Sequence, residues 1–96
     1  MNFSISEALT IARKWQHDAI DVHGTMQARE WVIDFGGRLI IEGDGIAVTN
    51  ENGLDFRLAL DDAMTFSYAD GMLKIAGSGW HCNLYETKDH SFVRLV

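Results

Sequence analysis

The 96-residue chain has no proline and a single cysteine, Cys82. Average usage would place about five prolines in a chain of this size, so its nine glycines must do the turning. A lone thiol excludes an intramolecular disulfide and a multi-cysteine zinc site. No apolar run approaches the roughly 20 residues needed to span a bilayer. The amphipathic start, residues 1–16, carries Glu7, Arg13 and Lys14 and has neither an apolar signal-peptide centre nor a small-residue cleavage pattern. A cytoplasmic location with no membrane partner is therefore expected. Cations are few: 8 Lys and Arg against 14 Asp and Glu, a formal charge of −6. That balance argues against general DNA or RNA binding, which needs a basic footprint.

What is present reads as one globular domain over residues 1–96. Apolar residues make up 47% and charged residues 23%, too apolar for a disordered chain. Ser4-Ile5-Ser6-Glu7 is a capping box. Ile5, Ala8, Leu9, Ala12 and Trp15 follow as one apolar stripe, and Arg13 and Lys14 stand near the end that favours cations. The pattern predicts a helix over about residues 4–17.

From about residue 20 the apolar period becomes two. Turn signals recur at Gly36-Gly37, Asp44-Gly45, Asn52-Gly53, Asp61-Asp62, Asp70-Gly71 and Ser78-Gly79. This spacing predicts a curved antiparallel β-meander of about seven or eight strands over residues 20–96, an α+β fold with the helix packed on the apolar face. Loop lengths set the register. A turn at Asp70-Gly71 pairs Tyr68 with Leu73 and Phe66 with Ile75. One at Ser78-Gly79 pairs Ile75 with Cys82 and Leu73 with Leu84. One at Asp44-Gly45 pairs Ile41 with Val48, and a loop over residues 51–53 pairs Val48 with Phe56. A loop over residues 61–63 pairs Leu58 with Phe66, and one over residues 87–90 pairs Leu84 with Val93. Near Arg29-Glu30 the apolar phase changes, which indicates a bulge or tight turn. Eight strands would make a sheet about 34 Å wide, whereas the helix is about 20 Å long and 10 Å across. The sheet must then curl, close toward a barrel, or share its face with another chain.

Few residues suggest chemistry. His17, Asp18, Asp21 and His23 could form a two-His, one-carboxylate set, yet loop histidines beside solvated acids explain them as well. Cys82 and His81 face opposite sides of a strand, so the dipeptide is not a nucleophile pair. The acidic turns lack the ligand pattern of an EF-hand. No glycine-rich stretch leads from a strand into a helix, and no cofactor is implied. The outward face is more informative. Met72, Tyr85, Phe92 and Val96 form an apolar patch near the C-terminal edge, and Arg57, Lys74 and Arg94 a cationic stripe that faces anions, unless each cation pairs with a neighbour such as Glu42 or Asp55. The function expected is a small non-enzymatic protein-interaction module, self-associating as a homodimer or other homo-oligomer, with a further protein partner possible. The alternative is a hydrophobic-ligand binder with a pocket lined by Trp15, Trp31, Trp80, Tyr68 and Phe66.

Overall fold

The computed structural model describes residues 4–86. Helix α1 spans Ile5–His17 and is followed by seven strands: β1 (Asp21–Ala28), β2 (Val32–Glu42), β3 (Gly45–Asn50), β4 (Gly53–Ala59), β5 (Thr65–Ala69), β6 (Met72–Gly77) and β7 (Trp80–Glu86). All strand pairs are antiparallel. The α+β arrangement read from the sequence, one helix packed on the apolar face of an antiparallel sheet, is the one observed.

The helix begins where its capping residues dictate. Glu7 N–H donates to Ser4 Oγ at 3.2 Å, and Ser4 N–H donates to the Glu7 carboxylate at 2.9 Å. Ala8, Ala12 and Trp15 form its buried stripe. Trp15 alone is worth on the order of 2–3 kcal/mol by burial. Its indole N–H donates to Glu86 Oε2 at 2.8 Å, which ties the helix to the end of β7. The helix closes with Ala19 in the left-handed region (φ 55°). There the Ile20 N–H reaches back to the Trp15 carbonyl at 3.0 Å, satisfying one of the last free carbonyls.

The sheet order is β4-β3-β2-β1-β7-β6-β5. This keeps the circular order of a meander but breaks it at a different place. β1, expected at an edge, and β7, expected beside a further strand at the C-terminal edge, instead pair with each other over seven residues from Val22↔Glu86 to Ala28↔Trp80. β4 and β5, expected to form a hairpin with Leu58 opposite Phe66, are instead the two edges of the described sheet. The segment between them turns on Asp61, whose carbonyl accepts from Met64 N–H and whose carboxylate accepts from Ala63 N–H. Leu60 is buried in the core there. The six steps from Ala59 to Thr65 reach at most about 22 Å, whereas a flat seven-stranded sheet would hold its edge strands about 29 Å apart. The connection therefore requires the sheet to curl. One core fills the curl: Trp15 from the helix, Leu39, Ile46 and Val48 from one half of the sheet, and Phe66, Leu73, Ile75, Cys82 and Leu84 from the other.

Other registers divide in the same way. The β5–β6 and β6–β7 hairpins pair as their turns predict, Tyr68↔Leu73, Phe66↔Ile75, Ile75↔Cys82 and Leu73↔Leu84. Val48 stands opposite Phe56 as expected, but Asn50↔Gly53 closes that hairpin and the extra residue is absorbed by an irregularity at Val48/Thr49. The β2–β3 turn lies at Gly43-Asp44, with Gly43 left-handed (φ 58°), so Ile41 meets Ile46 and Leu39 meets Val48. The shift is two residues and leaves every side chain on its expected face. The phase change near Arg29-Glu30 is the tight β1–β2 turn, closed by Ala28 N–H on the Trp31 carbonyl at 2.9 Å. Gly36-Gly37 is not a turn at all. It lies inside β2, where backbone from the neighbouring strand approaches closely. Leu84 is flanked by Gly24 and Leu73, so the pairing expected with Val93 has no free edge to use. Val93 itself lies outside the described residues.

Candidate interaction surface

The two outward features expected from the sequence fare differently. Met72 and Tyr85 are direct cross-strand partners on β6 and β7. They share a shallow groove of about 290 Å³ with Ser67, Ala69, Asp70 and Lys74. Phe92 and Val96, the other half of that patch, lie outside the described residues. Arg57 and Lys74 do occupy the same outward face, opposite the core. However, Arg57 is on the β4 edge and Lys74 on β6, at opposite ends of the strand order. The stripe rests on β4 pairing with β5, a pairing that the strand order does not contain. Arg57 instead grips Glu42 with two hydrogen bonds, at 2.8 and 3.3 Å. Arg94 lies outside the described residues.

The inward-facing candidates carry little chemistry. Cys82 is fully buried, and desolvation pushes its thiol up to about 12. Such a thiol is a structural apolar group and a poor nucleophile. Asp18 pairs with Lys14 and Asp21 with Arg38, each at 3.1 Å. Among the described residues, no group of three or more His, Cys, Asp and Glu side chains converges as a metal site. Four of the five aromatics proposed to line a pocket lie in or against the same core, Tyr68 with its ring centroid 6.3 Å from that of Trp15, and Trp31 stands apart. Trp15 and Phe66 are packed in the core, and Trp31 is half exposed. Trp80 covers the space above Gly77.

A different surface emerges at the β1–β2 hairpin. Trp31 (50%), Val32 (60%) and Ile33 (45%) are three consecutive large apolar residues left open to solvent. Val32 and Ile33 begin β2, which is 11 residues long and outruns its neighbour, and Trp31 directly precedes it. β3 pairs with β2 only from Arg38 to Glu42, so residues 32–36 have β1 on one side and no described strand on the other. The tip of the β3–β4 hairpin partly covers this gap. Gly36 N–H donates to the Asp55 carboxylate and Gly36 C=O accepts from the Asn50 side-chain amide, both at 3.1 Å. These two side chains stand in for a missing strand at Gly36 and reach no further. Leu54, 54% exposed, lies on the same tip.

Sequence reasoning missed this surface, although a signal was there. Three apolar residues in a row cannot alternate, so a strand that begins Trp31-Val32-Ile33 must expose at least one of them on the outward side. The phase change at Arg29-Glu30 marked the place without saying which residues stayed outside.

No described helix is long and apolar enough to cross a membrane. Comparison with protein-family models, with curated proteins and with solved structures finds no match to this chain.

Proposed function

We propose that this protein is a small non-enzymatic interaction module of the cytoplasm that self-associates, and that the β1–β2 hairpin is its contact surface. The observation that carries this reading is the exposure of Trp31, Val32 and Ile33 together on one projecting element. Burying Trp31 and its two neighbours on a partner would contribute roughly 1–2 kcal/mol for each side chain, and aromatic anchors of this kind dominate contact energetics. The character of the interior supports the same reading. The buried side chains of the described residues are all apolar, and the thiol among them is held far above neutral pH.

Sedimentation equilibrium between about 1 and 100 μM tests the proposal, because interfaces at the small end of the size range hold in the micromolar region. The expected result is a mass that rises from 10.8 kDa toward twice that value, and that stays at the lower value in a Trp31→Ser, Ile33→Ser variant with unchanged circular dichroism. A wild-type chain that remains at the monomer mass throughout overturns self-association.

A further inference from the structure

Resting on that reading, we propose that the contact is made by edge-to-edge pairing of β2 with β2 of a second copy, antiparallel about a two-fold axis through Ile33, so that the two curled sheets join. In an antiparallel ladder, alternate residues direct their N–H and C=O to opposite edges. The groups of Gly36 are directed to the β3 side, where Asp55 and Asn50 meet them. By alternation, Val32 and Asp34 direct theirs to the same side, beyond the reach of the β3–β4 tip. That edge offers two donors and two acceptors. Its blockers are few, since Trp31-Val32-Ile33-Asp34-Phe35 contains neither lysine nor proline and Asp34 is its one charge.

The occupant is identified by charge. A two-fold pairing must set outward-directed residues against each other, which leaves three registers. Centring on Asp34 opposes Asp34 to Asp34. Centring on Val32 opposes Glu30 to Asp34. Either places like charges directly across the ladder, which is destabilising. Centring on Ile33 opposes Val32 to Asp34, Ile33 to Ile33 and Glu30 to the capped Gly36, so that no acid stands directly across the ladder from another acid. In this register the β1–β2 turn of each copy arrives where Gly36 of the other is already capped, so the ladder ends without unpaired groups. It also brings the exposed Arg29 of each copy, together with its neighbour Glu30, toward the β3–β4 tip of the other, where Glu51 and Asp55 stand exposed. The segment is thus its own complement in hydrogen bonding, apolar pairing and charge, as an isologous interface requires.

The register is tested with three single variants at exposed positions, each checked for an unchanged thermal transition. Ile33→Lys sets two ammonium groups together on the axis and should weaken the dimer about 100-fold or more. Val32→Lys adds the residue that ordinarily blocks edges, yet here it faces Asp34 of the other copy. Dimerisation should then be retained within roughly threefold and become salt-sensitive. Ile33→Cys should cross-link to a covalent dimer under mild oxidation, because residues opposed in this way have Cα atoms about 4.5 Å apart, within the range of a disulfide. Leu54→Cys, equally exposed but off the axis, should not. A wild-type dimer in which Ile33→Cys cross-links no faster than Leu54→Cys, or in which Val32→Lys is as damaging as Ile33→Lys, overturns the edge pairing and leaves the interaction module standing. A wild-type monomer overturns both.

Discussion

The ring of Phe35 occupies the space that a Cβ on Gly24 would need. The two residues are cross-strand partners on β1 and β2, and it is the ring edge, Cε1 and Cζ, that such a Cβ would strike. On its other side Phe35 stacks on Phe56, with centroids 3.8 Å apart and planes 2° from parallel. Leu84 also comes within 2.9 Å of the same position from β7. The glycine is therefore required for volume. Gly24→Ala should destabilise the fold by about 1–3 kcal/mol, the usual range for overpacking, despite the better strand propensity of alanine. The midpoint of urea unfolding measures it, and a midpoint equal to wild type would show that the ring moves aside freely.

Ala19 offers the opposite opportunity. It ends α1 in the left-handed region (φ 55°), where a Cβ costs about 1–2 kcal/mol. Ala19→Gly removes that cost and adds about 0.4–1 kcal/mol of unfolded-state entropy. The first effect is larger, so the variant should gain roughly 0.5–1 kcal/mol, seen as a higher thermal midpoint. Its side chain is exposed, so no packing is lost.

What could be read in advance depended on how local the information was. Asp70-Gly71 and Ser78-Gly79 joined residues a few positions apart, and the turn geometry set both the register and the faces of β5, β6 and β7. The contiguity of Met72 and Tyr85 followed from those hairpins alone. The β1–β7 pairing joins residues some 60 positions apart, and no local signal distinguishes it from a β4–β5 hairpin. Both choices preserve the alternation of every strand. The Arg57–Lys74 stripe inherits that ambiguity: it assumes a β4–β5 pairing, and the strand order separates β4 from β6 by β3, β2, β1 and β7. Gly36-Gly37 misled because paired glycines serve close backbone approach as readily as turns.

Cys82 makes stability depend on alkaline pH. Burial raises its thiol from 9.0 to about 12 in the folded chain, while the unfolded thiol keeps its ordinary value. Above pH 9 the unfolded state loses this proton first, so it binds fewer protons than the folded state and stability falls as pH rises. The contribution is fully present below about pH 9 and is lost progressively up to about 12. Cys82→Ala should be less stable at pH 7 by about 1–2 kcal/mol through lost packing, and should show a flatter decline between pH 9 and 11 than the wild type. Denaturant midpoints at three pH values in that window give the comparison. Parallel declines would mean that the thiol does not carry the pH dependence.

Gly36 and Gly37, adjacent in β2, should respond very differently to the same substitution. Gly36 has an ordinary backbone conformation, and an added Cβ would meet the Val22 carbonyl oxygen at 3.4 Å and the His23 ring at 3.8 Å, normal contact distances. Gly37 has φ +148°, which L side chains rarely adopt, and an added Cβ would collide with the backbone carbonyl of Thr49. A backbone group held in a ladder cannot rotate away as a side chain can. Thr49 is also the residue at which the β3–β4 register shifts, and Gly37 leaves room for its carbonyl. Gly36→Ala should therefore change stability by less than about 1 kcal/mol, within the range of a tolerated strand substitution. Gly37→Ala should cost about 3 kcal/mol or more, since backbone strain and a steric clash add. Urea unfolding of the two variants side by side decides it. Equal losses would mean that the close approach at Gly37 relaxes without cost, and that β2 does not depend on its second glycine to pass Thr49.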